Sequence, residues 1–108
     1  MQIVLAPAAR AELAEIWSYI ATESSPNIVD RAIERIAEGL ERLVLFPLAG
    51  RPRDELSPGL RSYFIRPRHT VFYRVKGEHL EVAHVLHHAR NLSRFFPDSQ
   101  TRNGEPLV

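Results

Sequence analysis

The residues with the clearest chemical potential are arginines and histidines in the second half of the chain. Eight arginines lie in residues 51–96, where three histidines also stand close together at positions 84, 87 and 88. Arginine presents a planar fork of N–H donors that matches carboxylates and phosphates, and histidine exchanges protons near neutral pH. The candidates for contact with a target or partner are Arg61, Arg66, Arg68, Arg74, His87, Arg90 and Arg94.

Aromatic side chains are interspersed with these arginines, and two kinds of partner fit such a surface. One is RNA, held by phosphate contacts and base stacking, and the other is a protein with acidic side chains. Composition alone does not separate the two. The aromatic residues in question are Tyr63, Tyr73, Phe95 and Phe96.

Other site chemistries find little support in the sequence. His84 and His88 fall on one face of a strand, but no third ligand accompanies them at a suitable spacing, so we predict no metal site. The five glycines are scattered rather than gathered in a phosphate-binding loop. No G-x-S-x-G turn accompanies the serines, which argues against a serine hydrolase. We therefore expect no cofactor.

Charge is unevenly distributed along the 108 residues. Residues 1–50 carry four Arg against seven acidic residues, whereas residues 51–96 carry eight Arg and one Lys against four acidic residues. The basic half is expected to meet an anionic partner, or else to be an arginine-rich solvated surface. The net charge is only +1, so strong autonomous binding to nucleic acid is not expected.

Composition also bears on the compartment. The chain has no cysteine, so disulfides are excluded and a reducing environment is favoured. No apolar run approaches the roughly 18 residues of a membrane span, and the first residues do not resemble a signal peptide. We expect a cytoplasmic protein with no membrane partner.

The first half of the chain predicts a strand and two helices. Residues 2–5 are strand-forming, and Pro7 suits the first turn of a helix. The apolar side chains of this helix, which we expect in the core, are Leu13, Ile16, Trp17 and Ile20. For Trp17 the alternative is a position that faces a protein partner. Ser25 and Pro26 predict the cap and first turn of a second helix, which residues 46–50 end. Its apolar seam is Val29, Ile33, Ile36, Leu40 and Leu43, and its outer face is Arg31, Glu34, Arg35, Glu38, Glu41 and Arg42.

The second half predicts a loop over residues 51–59 and then three strands, at 60–66, 70–75 and 79–87. Tyr73 is expected in the core of the central strand. The fold class is therefore α+β, a two-layer β-α-α-β-β-β domain with helices on one sheet face and the other face left for a partner. Residues 1–96 form the single domain, and residues 97–108 form a flexible tail.

Five segments, taken in chain order, resemble the ParE branch of the RelE/ParE toxin superfamily. Residues 9–20, Ala-x-x-Glu-Leu-x-x-Ile-Trp-x-Tyr-Ile, are similar to the first helix of ParE toxins. The others are Phe-Pro-Leu-Ala-Gly-Arg at 46–51, Pro-Gly-Leu-Arg at 58–61, Val-Phe-Tyr-Arg-Val at 71–75 and Val-Leu-His at 85–87. Each motif alone is weak, but five in order are specific, and together they span nearly all of residues 2–96.

The resemblance implies the RelE/ParE fold and a toxin that poisons DNA gyrase rather than an enzyme. It also implies a cognate ParD-like antitoxin that binds the toxin directly, and contact with promoter DNA only through that complex. Such modules are typical of plasmid stabilisation systems. An inactive module that only binds an antitoxin remains an alternative.

A second alternative is a ribosome-dependent mRNA endoribonuclease of the RelE type. The chain departs from that branch, because Thr70 and His88 stand where those nucleases carry arginines, and no tyrosine follows Tyr73. A phosphoryl-transfer site can nevertheless be assembled from His and Arg. If the chain is a nuclease, its candidate catalytic residues are Arg61, Arg66, His87 and His88.

Overall fold

The computed structural model describes residues 1–23, 26–87 and 92–96, and for residues 20–30 it describes no side chains. The elements are β1 (Gln2–Leu5), α1 (Pro7–Glu23), α2 (Pro26–Leu45), β2 (Arg51–Pro52), β3 (Arg61–Ile65), β4 (His69–Lys76), β5 (His79–His87) and a short 3₁₀ helix (Leu92–Arg94). The α+β class and the element order match the prediction, with β2 as an addition. The predicted cap Ser25 and the predicted tail 97–108 lie outside the described residues.

The five strands form one sheet in the order β1-β5-β4-β3-β2. β1 pairs with β5 in parallel, and the other neighbours are antiparallel. The predicted loop at 51–59 is wrong at its start, because Arg51 and Pro52 pair with Ser62 and Arg61 as an edge strand. A two-residue strand has no periodicity of its own, so only its pairing with β3 defines it.

Both helices pack on one face of the sheet and enclose the main core. Ala9 of α1 and Leu43 of α2 are fully buried against the central strands, and Ile36 lies in the same cluster. Leu13, Ile16 and Leu40 pack around its margin. The predicted seam of α2 is therefore confirmed at Ile36, Leu40 and Leu43, while the side chain of Val29 lies outside the described part of the chain. Tyr73, expected in the core, is fully buried in β4.

The opposite face of the sheet is not left open, which corrects our expectation. Phe72 and Leu86 point to this face and are covered by Leu56 and Leu60 from the β2–β3 loop and by Phe96. The rings of Phe72 and Phe96 lie 5.2 Å apart. The loop and the residues after β5 thus form a second small core that the sequence did not reveal.

Trp17 lies on the surface, so the prediction that it belongs to the core was wrong. Its side chain is 53% exposed, although its neighbour Ile16 packs against the core. The buried stripe of α1 runs through Ala9, Leu13 and Ile16, and Trp17 falls about 100° further round the helix. Among the described residues, neither helix is both long and apolar enough to cross a membrane.

Gly39 allows α2 to lie directly against β3. A Cβ at this position would meet Ile65, at 2.5 Å from its Cδ1 atom and 2.8 Å from its Cγ1 atom. Non-bonded carbon atoms do not approach this closely. Any side chain at position 39 must therefore displace Ile65, which is buried.

We expect Gly39→Ala to lower the free energy of unfolding by about 1 kcal/mol. Overpacking costs about 1–3 kcal/mol, and the better helix propensity of alanine recovers about 1 kcal/mol. The measurement is urea denaturation, with Glu38→Ala on the exposed side of α2 as control. Ile65→Val removes the Cδ1 atom, so Gly39→Ala should cost less in that background, and an equal or larger cost would contradict the contact.

Candidate functional site

Tyr73 ties the link between α2 and β2 to the centre of the sheet. Its hydroxyl donates to the carbonyl oxygen of Pro47 at 2.7 Å and accepts from the backbone N–H of Gly50 at 2.9 Å. Burial raises the pKa of the Tyr73 phenol above its ordinary value, and the Gly50 hydrogen bond and the nearby Arg61 charge oppose this only in part. The phenol is therefore held in its neutral, donating form.

Two of the predicted contact residues bind the protein's own backbone. The guanidinium of Arg61 donates to the carbonyl oxygen of Gly50 at 2.7 Å and to that of Leu48 at 3.3 Å. Arg74 donates to the carbonyl oxygen of Pro58 at 3.2 Å and to the hydroxyl of Ser57. These two arginines fasten the loops on either side of β2 to the sheet.

Glu12 connects α1 to the edge of β5. Its carboxylate accepts from the backbone N–H of Val85 at 2.9 Å and lies 2.7 Å from Nδ1 of His84. β1 ends at Leu5, opposite Val82, so β5 continues beyond its parallel partner. Glu12 supplies the acceptor that the backbone of Val85 needs there, which explains an acidic side chain at a position that is mostly enclosed.

A groove of about 670 Å³ lies between the two helices, the β3–β4 turn and the end of β5. Its interior is apolar and includes Ile16, Ile36, Ile65 and Val85. Most of its polar lining residues are basic, namely Arg31, Arg35, Arg66, Arg68, His69 and His87. We therefore call this groove the basic groove. Glu12, Glu15 and Tyr19 complete the side formed by α1.

The two histidines of the basic groove are direct cross-strand partners. His69 begins β4 and His87 ends β5, and their ring centroids lie 6.1 Å apart with the planes 80° from parallel. Arg66 and Arg68 flank Pro67 in the adjoining turn, and the peptide bond between Arg66 and Pro67 is cis. Imidazole and guanidinium groups therefore line one end of the groove.

The structure divides the predicted site residues into separate groups. Arg66, Arg68 and His87 lie together in the basic groove, whereas Arg61 lies at the opposite end of β3, opposite Tyr73. Arg61 is therefore about 13 Å along the strand from Ile65, too far to act with His87 on one bond. Arg94 is exposed in the 3₁₀ helix. His88 and Arg90 lie outside the described residues.

Sequence reasoning missed four of the residues that line the groove. Arg31 and Arg35 were placed on the outer face of α2, His69 fell between two predicted strands, and Tyr19 had no assigned role. Arg31 and Arg35 are four residues apart, so they share one helix face next to the buried Ile36. That spacing is the feature of the sequence from which their common position could have been predicted. Within the described part of the chain, no group of three or more metal-ligating side chains is found.

Comparison with known proteins gives the chain its family. Residues 3–92 match the model of the ParE toxin of the type II toxin–antitoxin system, parDE. Toxin ParE1 of Mycobacterium tuberculosis strain H37Rv is 34% identical over 92 residues, which cover 84% of this chain and 93% of that protein. The chain belongs to the ParE toxin family. Toxin ParE3 of Caulobacter vibrioides is 29% identical over 82 residues, or 76% of this chain and 81% of that protein.

The ParE-type fold is also supported by a solved structure. The chromosomal ParDE TA system from P. aeruginosa contains a chain that superposes with a TM-score of 0.69 at 24% identity. The superposition covers 81% of this chain and 95% of that chain. The ParE resemblance and the RelE/ParE-like fold expected from the sequence are thereby confirmed. The roles of individual groove residues stay predictions.

We expect Tyr73→Phe to lower the free energy of unfolding by about 1–3 kcal/mol at pH 7, because the Pro47 carbonyl and the Gly50 N–H lose their partner. The raised folded-state pKa adds a pH dependence. The stabilisation by the neutral phenol is present below about pH 10, the unfolded value, and is lost as pH rises through the folded value.

Urea denaturation of both proteins between pH 8 and pH 11 measures this effect. The wild type should lose more stability than Tyr73→Phe across that interval. Tyr19→Phe is the control, because the Tyr19 side chain is 67% exposed. Parallel loss of stability in wild type and Tyr73→Phe would show that the phenol does not carry the effect.

Proposed function

We propose that this chain is the toxin of a type II toxin–antitoxin module that inhibits DNA gyrase in the cytoplasm and is neutralised by direct binding of a ParD-like antitoxin. The family match over residues 3–92 carries the proposal, since it runs from β1 through both helices to the end of β5. Inhibition would be by binding rather than by catalysis. Promoter DNA would be contacted only through the antitoxin complex.

A ribosome-dependent mRNA endonuclease is the second candidate, and one observation favours it. His69 and His87 stand with four arginines in one groove, which are residue types that can move protons and stabilise a phosphorane. The nuclease set predicted from the sequence is less well supported, because Arg61 is distant from His87 and is engaged with the backbone of residues 48 and 50.

The decisive test of the target is a plasmid supercoiling assay with purified gyrase, run beside a translation extract that reports mRNA cleavage. We expect loss of supercoiling or accumulation of cleaved plasmid, with the message left intact. Toxin preincubated with antitoxin serves as the control and should leave gyrase active. Cleavage of mRNA with gyrase unaffected would replace the gyrase proposal by the nuclease, and no effect in either assay would favour an inactive antitoxin-binding module.

The surface for the antitoxin is best supported at the end of α2. Leu45, Phe46 and Leu48 are 72%, 62% and 67% exposed, and we call them the helix-end patch. Clustered apolar side chains at the surface mark binding sites. The outer edge of β1 also offers unpaired backbone groups for an added strand, since β5 is its only neighbour in the described sheet. We expect a segment of the ParD-like antitoxin to cover the helix-end patch and to pair with the outer edge of β1.

We expect a Leu45→Ser, Phe46→Ser, Leu48→Ser triple variant to bind the antitoxin at least tenfold more weakly, a loss of about 1.4 kcal/mol or more. Titration calorimetry measures the affinity. Phe64→Ser is the matched control, because Phe64 is 49% exposed on β3, away from α2. Unchanged affinity in the triple variant, with its thermal unfolding also unchanged, would place the antitoxin elsewhere.

A further inference from the structure

We propose that Tyr73 and Arg61 are positioning residues for antitoxin recognition, which fix the link between α2 and β2 so that its exposed apolar side chains are correctly placed. The link spans residues 46–50. The inference rests on the proposed function, because it takes the helix-end patch as the antitoxin site. Neither residue touches the antitoxin in this arrangement, so Arg61 acts through the link rather than by direct contact.

The apolar side chains of the link have little packing of their own. Phe46 and Leu48 are 62% and 67% exposed and lie after the last residue of α2, outside any helix or strand. Within this segment the N–H of Phe46 donates to the carbonyl oxygen of Arg42 at 2.8 Å, and that of Ala49 donates to Phe46 at 2.9 Å. A segment with few buried contacts opens locally unless other bonds restrain it, so Leu48 depends on ties from outside the link.

Two side chains from the centre of the sheet supply these ties. Arg61 of β3 lies directly opposite Tyr73 of β4, so both side chains leave the same face of the sheet. The Tyr73 hydroxyl bonds to the Pro47 carbonyl at 2.7 Å and to the Gly50 N–H at 2.9 Å. The Arg61 guanidinium donates to the carbonyl oxygens of Leu48 and Gly50 at 3.3 Å and 2.7 Å. Leu48 therefore lies within a span of backbone that is held at both ends and at its own carbonyl.

The same two side chains are poorly placed to bind a partner directly. Tyr73 is fully buried, so any effect of its hydroxyl on antitoxin binding must pass through the link. Arg61 is partly buried and uses its guanidinium on backbone carbonyls. A Cβ at Gly50 would lie 2.6 Å from Cε1 of Tyr73, so the link already packs as closely on the ring as its backbone allows.

The first test measures the link itself, in the full-length chain without antitoxin. Amide hydrogen exchange followed by NMR should show the Gly50 N–H exchanging at least about tenfold faster in Tyr73→Phe than in wild type, because its acceptor is lost. The Phe46 N–H, which bonds to the end of α2, is the internal control and should change much less. An unchanged rate at Gly50, or equal acceleration at both amides, would overturn the proposal.

The second test measures the binding of the full-length toxin to immobilised ParD-like antitoxin by surface plasmon resonance. We expect Tyr73→Phe and Arg61→Ala each to weaken binding at least about fivefold, because apparent affinity falls with the fraction of molecules in the competent arrangement. In the Leu45→Ser, Phe46→Ser, Leu48→Ser background the same two changes should have little further effect, because the side chains that they position are gone.

Leu56→Ala is the matched control for lost stability. It leaves a cavity in the second core, on the sheet face opposite the helices, and should keep the affinity within about twofold of wild type. Thermal unfolding of each variant checks that the fold is retained. An equal loss of affinity in Leu56→Ala and Tyr73→Phe would overturn the proposal, because it would reduce the effect to general destabilisation.

Salt dependence separates positioning from direct contact at Arg61. A contact between its guanidinium and an acidic antitoxin residue would make the loss in Arg61→Ala appear in the association rate and shrink as salt screens the charges. We expect instead the same fold loss at about 50 and 300 mM salt, because the bonds of Arg61 are to the protein's own backbone. A loss that disappears at high salt would overturn the positioning role of Arg61.

The affinity of the wild-type chain tests the proposed function separately. A wild-type chain that does not bind antitoxin would contradict both the proposed function and this inference. Wild-type binding with full affinity in Tyr73→Phe and Arg61→Ala would overturn the positioning role alone. Losses that simply add to that of the patch variant would also overturn it, because they would place the effect outside the helix-end patch.

Discussion

The clasp formed by the buried Tyr73 hydroxyl is the interaction on which the arrangement of the helices depends. It fixes the link between α2 and β2 from both sides, through the Pro47 carbonyl and the Gly50 N–H. Gly50 has no room for a side chain, because a Cβ there would lie 2.6 Å from Cε1 of Tyr73. α2 is thus held at its end by this clasp and at its middle by Gly39. With two fixed points, its first half must project over the β3–β4 turn, where the basic groove forms.

The arginines of the second half differ in role because the fold uses some of them internally. Arg61 and Arg74 satisfy backbone carbonyls of loops that have few regular partners. Arg53 pairs with Glu55 at 2.7 Å and lies 5.9 Å from the centre of the Phe72 ring. Arg66 and Arg68 instead lie in the β3–β4 turn, where they line the basic groove. Charge counting treats these arginines alike, whereas the structure holds some of them against loop carbonyls or a ring and places others at the groove.

Local signals made the element order predictable from the sequence. Pro7 and Pro26 start the helices, Phe46 to Gly50 end the second one, and Gly77 turns β4 into β5 with a positive φ. The second core could not be predicted in this way, because Leu56 and Phe96 lie in segments without periodicity and are buried only when the sheet is assembled. The prediction for Trp17 was wrong for a related reason. Each helix buries only a narrow stripe of side chains against the sheet, and the sequence does not show how wide that stripe is.

The candidate site was less predictable than the fold for the same physical reason. Arg66, Arg68 and His87 were identifiable as residue types, but Arg31, Arg35 and His69 join them only through tertiary packing. The helix-end patch and the basic groove then lie toward opposite ends of α2. Ten residues separate Arg35 from Leu45, about 15 Å along the helix axis. An antitoxin that anchors on the patch and also masks the groove must therefore extend along α2 over that distance, which a helix of about ten residues spans.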